Sequence, residues 1–148
     1  MSVGVRPATA ADVAAWASMR HALWPEVGAD ALAAEADALL AAPDAAAFVA
    51  DAAGAVVGMA EASLRRDHVN GTESSPVGFL EAWYVAPGWR GRGVGRALLA
   101  AVEAWARARG CAELASDALL DNAASHAAHA ACGFEETERV VYFRKRVG

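Results

Sequence analysis

The sequence predicts a single mixed α/β domain over residues 1–148, and three observations support this prediction. The chain has 148 residues, which is the length of one ordinary domain. Apolar residues make up 56% and charged residues 21%, so a buried core can form and global disorder is not expected. Strand-like and helix-like segments follow the order β-α-α-β-β-β-α-β-α-β-β, which is typical of helices packed on a mixed sheet.

The first half of the chain contains two helix patterns and three strand patterns. Thr9 is a suitable N-cap for the first helix, because its hydroxyl accepts a hydrogen bond from a free backbone amide. Pro43 ends the second helix, which is rich in alanine. A Gly-containing turn separates the last two strands. The predicted elements are a strand at 3–7, helices at 11–23 and 29–42, and strands at 46–52 and 55–66.

The second half of the chain begins after a polar loop, DHVNGTESSP, which carries an Asn-Gly turn signal. The next segment, VGFLEAWYV, is β-branched, aromatic and apolar throughout except for Glu81, and therefore predicts a strand. An amphipathic helix follows and ends at Gly110. The predicted elements are a strand at 77–85, a helix at 94–109, a strand at 113–116, a helix at 122–131 and a strand pair at 134–146.

Charge and cysteine content narrow the function classes. The formal net charge of −5 argues against a nucleic acid held through its phosphates, and is compatible with a cationic ligand. No apolar run approaches the roughly 20 residues that a membrane-spanning helix needs, and the N-terminus does not resemble a signal peptide. Cys111 and Cys132 do not have metal-ligand spacing, so we expect free thiols, no metal site and a cytoplasmic protein.

The stretch VAPGWRGRGVGRALL, residues 85–99, carries the clearest chemical signal. Strand, glycine-rich turn and helix form an arrangement that binds phosphate, because the first amides of a helix have no helical acceptor. No Gly-Lys-Ser/Thr nucleotide loop is present, and the spacing of Gly91, Gly93 and Gly95 does not fit a dinucleotide fingerprint. The glycines alone would also fit a tight turn with no ligand.

Two motifs together resemble the GCN5-related N-acetyltransferases. They are Arg90-x-x-Gly93-x-Gly95 between a strand and a helix, and Asn122 before a helix that leads into Gly133-Phe134. The resemblance implies that family's fold, with acetyl-CoA bound between two splayed strands. The implied coenzyme-binding residues are Trp83, Tyr84, Val85, Arg90, Gly91, Arg92, Gly93, Val94, Gly95, Arg96, Asn122 and His129. Each of the arginines also fits an ordinary solvated surface charge.

Nearly the whole chain resembles the chromosomal aminoglycoside 6'-N-acetyltransferases of Acinetobacter and Salmonella. The segments VNGTESSPVGFLE and FEETERVVYF carry this resemblance most specifically. It implies an aminoglycoside acceptor, antibiotic resistance and a homodimer. The implied acceptor-binding residues are Trp24, His68, Glu81, Asp117 and Glu138, where His68 stands in place of the tyrosine of some members.

The proposed acceptor residues suit a polycationic sugar, which needs several carboxylates and one flat apolar face. Each also has a plain structural alternative. Glu81 could pair with a core arginine, and Asp117 could cap the helix at 122. Glu138 could be a surface charge, and Trp24 could be core packing.

The expected reaction is direct attack of a neutral amine on the acetyl thioester in a ternary complex. We expect Glu81 as the general base, with Asp117 as the alternate, and a backbone amide of strand 77–85 as the donor to the carbonyl oxygen. His129 could protonate the departing thiolate, or could only pack beside the coenzyme. A covalent cysteine route is disfavoured, since neither cysteine lies in a Cys-His pattern. The alternatives are another amine acceptor or a non-catalytic acyl-CoA or drug-binding module.

Overall fold

A computed structural model describes residues 2–148, which form two compact units, one up to Asp117 and one spanning Ala118–Gly148. The first unit contains five strands and three α-helices in the predicted order. Their bounds are β1 Gly4–Pro7, α1 Val13–Leu23, α2 Ala29–Ala41, β2 Ala45–Ala52, β3 Ala55–Arg65, β4 Val77–Val85, α3 Val94–Ala108 and β5 Leu114–Ser116. These elements confirm the mixed α/β prediction for this part of the chain.

The five strands form one sheet in the order β1-β2-β3-β4-β5. The first four strands pair in antiparallel fashion, and β5 pairs parallel to β4. Helices cover both faces, because alternate residues of β3 point to opposite sides of the sheet. A Cβ on Gly58 would lie 3.1 Å from Leu98 of α3. The next residue, Met59, belongs to a core cluster with Trp16 of α1 and Ala36 of α2.

Strand β4 is irregular on both of its edges at the same place. Its pairing with β5 covers only three residues and ends where Leu80 pairs with Ser116. On the other edge, Glu61 pairs with Ala82 and the next residue of β3 pairs with Leu80, so Glu81 is the extra residue of a β-bulge. The second half of β4 therefore has no strand beside it on the β5 side among residues 2–148, as the expected splay requires.

The second unit contains one α-helix, α4, which spans Ala123–Ala131. Its N-cap is Asn122, whose side chain accepts a hydrogen bond of 3.1 Å from the amide of Ser125. The predicted strand pair at 134–146 is wrong, because these residues form no strand. Several of their apolar side chains are exposed, including Tyr142 at 84% and Phe143 at 91%. A segment of β-prone residues forms a strand only where another strand pairs with its backbone. Within residues 2–148, no strand pairs with this segment.

Candidate active site

The glycine turn before α3 has the backbone that an anion site requires. Gly91 and Gly93 have φ values of +75° and +81°, a left-handed conformation that favours glycine. Gly93 is the N-cap of α3, and the first helical hydrogen bond joins the amide of Ala97 to the Gly93 carbonyl at 3.0 Å. The amides of Val94 and Gly95 precede that bond and lie at the positive end of the helix dipole. The turn can therefore hold a phosphate through its backbone.

Two side chains tie this turn to the end of β4. The indole Nε1 of Trp83 donates to the Gly95 carbonyl at 2.9 Å, and Nε of Arg90 donates to the Val85 carbonyl at 2.8 Å. The guanidinium of Arg90 also lies 5.4 Å from the ring centre of Tyr84. Arg92 lies over Trp89 at 5.1 Å, and all three arginines of the turn, including Arg96, are exposed. These contacts hold the turn against the end of β4. The guanidinium groups of the three arginines stay accessible to a ligand.

A cleft of about 500 Å³ lies on the opposite face of the sheet, between α1, α2 and strands β3 and β4. Its polar lining combines three carboxylates, one arginine, one hydroxyl and one indole ring. These residues are Glu35, Glu61, Glu81, Arg20, Ser63 and Trp24. The structure therefore brings together two of the predicted acceptor residues, Trp24 and Glu81, in a cleft with an excess of negative charge.

The floor of the cleft is a buried ion pair. Nη1 of Arg20 donates to both oxygens of Glu61, at 2.7 and 2.9 Å, and Trp16 Nε1 donates to Oε2 at 2.7 Å. Glu61 is 3% exposed and Arg20 is 6% exposed. Burial raises the pKa of Glu61, and the hydrogen bonds from Trp16 and Arg20 oppose that rise. Arg20 also reaches Glu35, with 2.6 Å between Nη2 and Oε2, and so links the floor to helix α2.

Glu81 occupies the one exposed position of β4, not a buried one. Its side chain lies in the cleft rather than in the core, at the bulge of β4. Nη2 of Arg65 lies 3.1 and 3.0 Å from its two oxygens, and the hydroxyl of Ser63 donates to Oε2. The arginine partner that the sequence left open exists, but it is half-exposed rather than a core residue.

Trp24 combines the two roles that the sequence left open. It is half-buried and packs against the core cluster around Trp16 and Met59. Arg20 lies 5.1 Å from the centre of its ring, which adds a cation–π contact. The same side chain lines the cleft, where a flat apolar surface is available to a sugar ring. Core packing and ligand contact are therefore compatible at this position.

Two further predicted acceptor residues of the first unit, His68 and Asp117, do not line the cleft. His68 is exposed in the loop before β4, and Asp117 is exposed directly after β5. In the second unit, Glu138 is exposed in the segment without regular structure. The cap of α4 is Asn122 itself, so the capping role that was an alternative for Asp117 is already filled.

His129 has a well-defined environment within the second unit. Its Nδ1 lies 2.7 Å from the carbonyl oxygen of Ser125, one turn earlier in α4. Its ring meets the edge of Phe134, with 5.0 Å between centroids and 62° between planes. These contacts fix the ring by packing and by a local hydrogen bond, which agrees with the structural alternative for this residue.

The described residues offer little support for a cysteine nucleophile or a metal site. Cys111 is buried, and burial raises the pKa of its thiol, which disfavours the nucleophilic thiolate. Among residues 2–148, no group of three or more His, Cys, Asp or Glu side chains is arranged to hold a metal ion. None of the helices described is both long and apolar enough to cross a membrane.

Sequence reasoning missed the other polar residues of the cleft. A signal for Glu61 was present, because it is a lone carboxylate in the apolar strand segment AVVGMAEASL, just as Glu81 is in VGFLEAWYV. The partners of these two glutamates carried no such signal. Arg20 and Glu35 lie on amphipathic helices where charges are common, and only the packing of α1 and α2 shows that they meet.

Comparison with known proteins finds relatives that span nearly the whole chain. The model of the acetyltransferase (GNAT) family matches residues 15–134. An aminoglycoside N(6')-acetyltransferase type 1 of Stenotrophomonas maltophilia is 62% identical over 140 residues, which cover 95% of this chain and 91% of that protein. The protein of the same name from Acinetobacter genomosp. 13 is 44% identical and covers 99% and 100% of the two chains.

Solved structures are similar over the same length. AAC(6')-Iy in complex with the bisubstrate analogue CoA-S-monomethyl-acetylneamine has a TM-score of 0.94 at 44% identity, with 99% and 100% of the two chains covered. The aminoglycoside 6'-N-acetyltransferase AAC(6')-Ih from Acinetobacter baumannii has a TM-score of 0.94 at 40% identity, with the same coverage.

Proposed function

Because the chain belongs to the GNAT acetyltransferase family, we propose that it transfers the acetyl group of acetyl-CoA to the 6'-amine of aminoglycosides. The observation that carries this conclusion is the pairing of a backbone anion site at the start of α3 with a carboxylate-lined cleft on the other face of the sheet. The first suits a pyrophosphate and the second suits a polycation. Relatives that share 44% and 62% of the sequence carry the same enzyme name.

The first unit fits the coenzyme at two places. The turn of Gly91 and Gly93 presents helix amides to the pyrophosphate, and Arg90, Arg92 and Arg96 supply positive charge beside it. The unpaired edge of Trp83, Tyr84 and Val85 offers backbone hydrogen bonds to the pantetheine arm, because β5 leaves β4 after Leu80. The assignment of Asn122 and His129 to the coenzyme rests on the family resemblance alone.

The acceptor binds in the cleft through Trp24 and Glu81. An aminoglycoside ring lies against the indole face, and its ammonium groups meet the carboxylates. The further acceptor contacts of His68, Asp117 and Glu138 follow from the resemblance. An aminoglycoside carries several ammonium groups, so exposed carboxylates outside the cleft are consistent with a ligand larger than one ring.

Acetyl-CoA supplies the acetyl group as a thioester, and the chain positions an amine to attack it. Glu81 accepts the proton of the attacking amine, directly or through one water, with Asp117 as the alternate base. The new C–N bond forms while the C–S bond breaks, and the sulfur leaves as a thiolate. A backbone amide of β4 donates to the carbonyl oxygen as it becomes negative. Transfer is direct in a ternary complex, and the burial of Cys111 disfavours its thiolate as a competing nucleophile.

The chain acts as one acetyltransferase domain and assembles as a homodimer in the cytoplasm. The family match crosses the boundary between the two units, which supports a single functional domain. Val141, Tyr142 and Phe143 are 77 to 91% exposed, and adjacent apolar side chains of this kind usually contact a partner. Sedimentation equilibrium measures the molecular mass and so tests the dimer. The mass of a monomer at micromolar concentration would contradict this proposal.

The test of the activity is thiol release from acetyl-CoA with two matched aminoglycosides, one with a 6'-amine and one with a 6'-hydroxyl. Turnover of the amine alone is the expected result. Equal turnover of both drugs would mean that the reacting amine lies elsewhere on the drug. Turnover of neither would mean that the acceptor is a different amine. Expression in a susceptible bacterium, with growth measured on the same two drugs, tests resistance.

A further inference from the structure

Arg65 makes a half-exposed ion pair with Glu81 at the wall of the cleft. A single nitrogen, Nη2, approaches both carboxylate oxygens, at 3.1 and 3.0 Å. The two-nitrogen fork that makes an arginine–carboxylate pair strong is therefore not formed. The two side chains are 43% and 36% exposed, and ion pairs as exposed as this contribute little to stability. This partner of Glu81 can be replaced at low cost.

Arg65 also makes a second contact, with the ring of Phe79. Its guanidinium carbon lies 3.5 Å from the centre of the Phe79 ring, within the range of a cation–π contact. Phe79 is 5% exposed and belongs to a buried cluster with Val69 and Val77, so its ring is a fixed surface. Arg65 can give up the carboxylate and keep this contact, while Ser63 continues to donate to Glu81.

The other two carboxylates of the cleft are held differently. Glu61 is buried and accepts from both Arg20 and Trp16, so its charge is already balanced inside the core. Glu35 is tied to the same Arg20 at 2.6 Å. Glu81 is thus the cleft glutamate whose cationic partner is itself half-exposed, whereas Glu61 and Glu35 share the buried Arg20.

We propose that Arg65 is the resident counter-ion of Glu81 and that an ammonium group of the acceptor displaces it on binding. This inference rests on the proposed function, because it takes a polycationic acceptor as the ligand of the cleft. Arg65 then sets the affinity for the acceptor without contacting it, since every binding event must break the Arg65–Glu81 pair. Arg65 therefore tunes the affinity for the acceptor and is not a catalytic residue.

The test compares Arg65→Met with Arg66→Met. The second variant is a matched control, because it removes the same charge from the next residue, whose guanidinium pairs with Asp44 and not with Glu81. The measurement is the Kd of a 6'-amine aminoglycoside for the coenzyme A-saturated enzyme, by calorimetry at low ionic strength. We expect R65M to bind about two- to fivefold more tightly than R66M, as loss of one exposed pair implies. Arg65→Lys keeps the charge and should bind like the wild type.

A Glu81→Gln background separates a specific contact from a general field effect. The difference between R65M and R66M should disappear there, since the carboxylate that Arg65 occupies is gone. Equal affinities of R65M and R66M, weaker binding by R65M, or a difference that survives in E81Q would each overturn the counter-ion role. Wild-type protein that binds no aminoglycoside would instead overturn the proposed function, so the two failures are distinguishable.

Discussion

Replacing Arg20 by Met should destabilise the protein strongly, whereas replacing Arg20 and Glu61 together should cost less than the two single changes combined. Glu61 is 3% exposed and holds its charge through Arg20 and Trp16. Without Arg20, a buried carboxylate keeps only the indole donor, and breaking a buried pair in this way costs about 3–5 kcal/mol. For a chain of this size, such a loss lowers the melting temperature by about 10 °C.

The double variant R20M/E61L removes both charges at once. It also removes a defect of the native state, because Nε of Arg20 is buried with no hydrogen-bond partner among the described residues. The remaining cost is the unpaired Trp16 donor, about 1–3 kcal/mol. Urea unfolding followed by the fluorescence of the five tryptophans measures the stability of R20M, E61L and R20M/E61L. A loss below about 1 kcal/mol for R20M, or a double variant that loses the sum of the singles, would refute this account of the cluster.

Three further predictions follow from the backbone and from the N-terminal ion pair. Asp12 has a pKa lowered to about 2, chiefly by its hydrogen bonds from Arg6. Because the folded pKa lies below the ordinary 3.8, this stabilisation is present above pH 4 and is lost as the pH falls toward 2. In urea unfolding, the free energy of unfolding of D12N should be about 2 kcal/mol below that of the wild type at pH 7, and roughly half as far below it at pH 3. An equal difference at both pH values would contradict a lowered pKa of Asp12 in the folded protein. A Cβ on Gly58 would lie 3.0 Å from the Tyr84 carbonyl oxygen, so G58A should lose about 1–3 kcal/mol while G88A, with open space around it, loses little; equal unfolding midpoints would refute this. Gly93 has a φ of +81°, so G93A should cost about 1–2 kcal/mol and raise the KM for acetyl-CoA more than it lowers kcat, whereas an unchanged KM would argue against a pyrophosphate at this turn.

The sequence was sufficient for elements whose stability is mostly local or whose burial is complete. Strand 77–85 has the predicted bounds, and helix α3 differs from its prediction by one residue at its end. Both have a strong hydrophobic pattern with a clear start and stop. The segment 134–146 contains the β-prone run VVYF among charged residues, yet it is not a strand, because pairing depends on a neighbour that the local sequence does not specify.

The candidate site was predictable only in part for a similar reason. The glycine turn is a local feature, so its place between a strand and a helix favoured an anion site, although the glycines alone also fitted a tight turn. The cleft depends on contacts between residues far apart in the chain, such as Arg20 with Glu61 and Arg65 with Glu81. The exposure of Glu81 could not be inferred from alternation, since the bulge that turns it outward lies in the pairing of β3 with β4.

The two irregularities of β4 meet at one point and explain why Glu81 suits the role of a base. Pairing with β5 stops after Leu80, and the bulge with β3 places the extra residue directly next, at Glu81. The edge of β4 that is unpaired after Leu80 is the edge proposed to hold the pantetheine arm. Glu81 therefore lies at the start of the proposed coenzyme slot. The same residue lines the acceptor cleft on the face covered by α1 and α2. The bulge at the point of splaying therefore places the proposed base in the cleft and beside the proposed coenzyme slot.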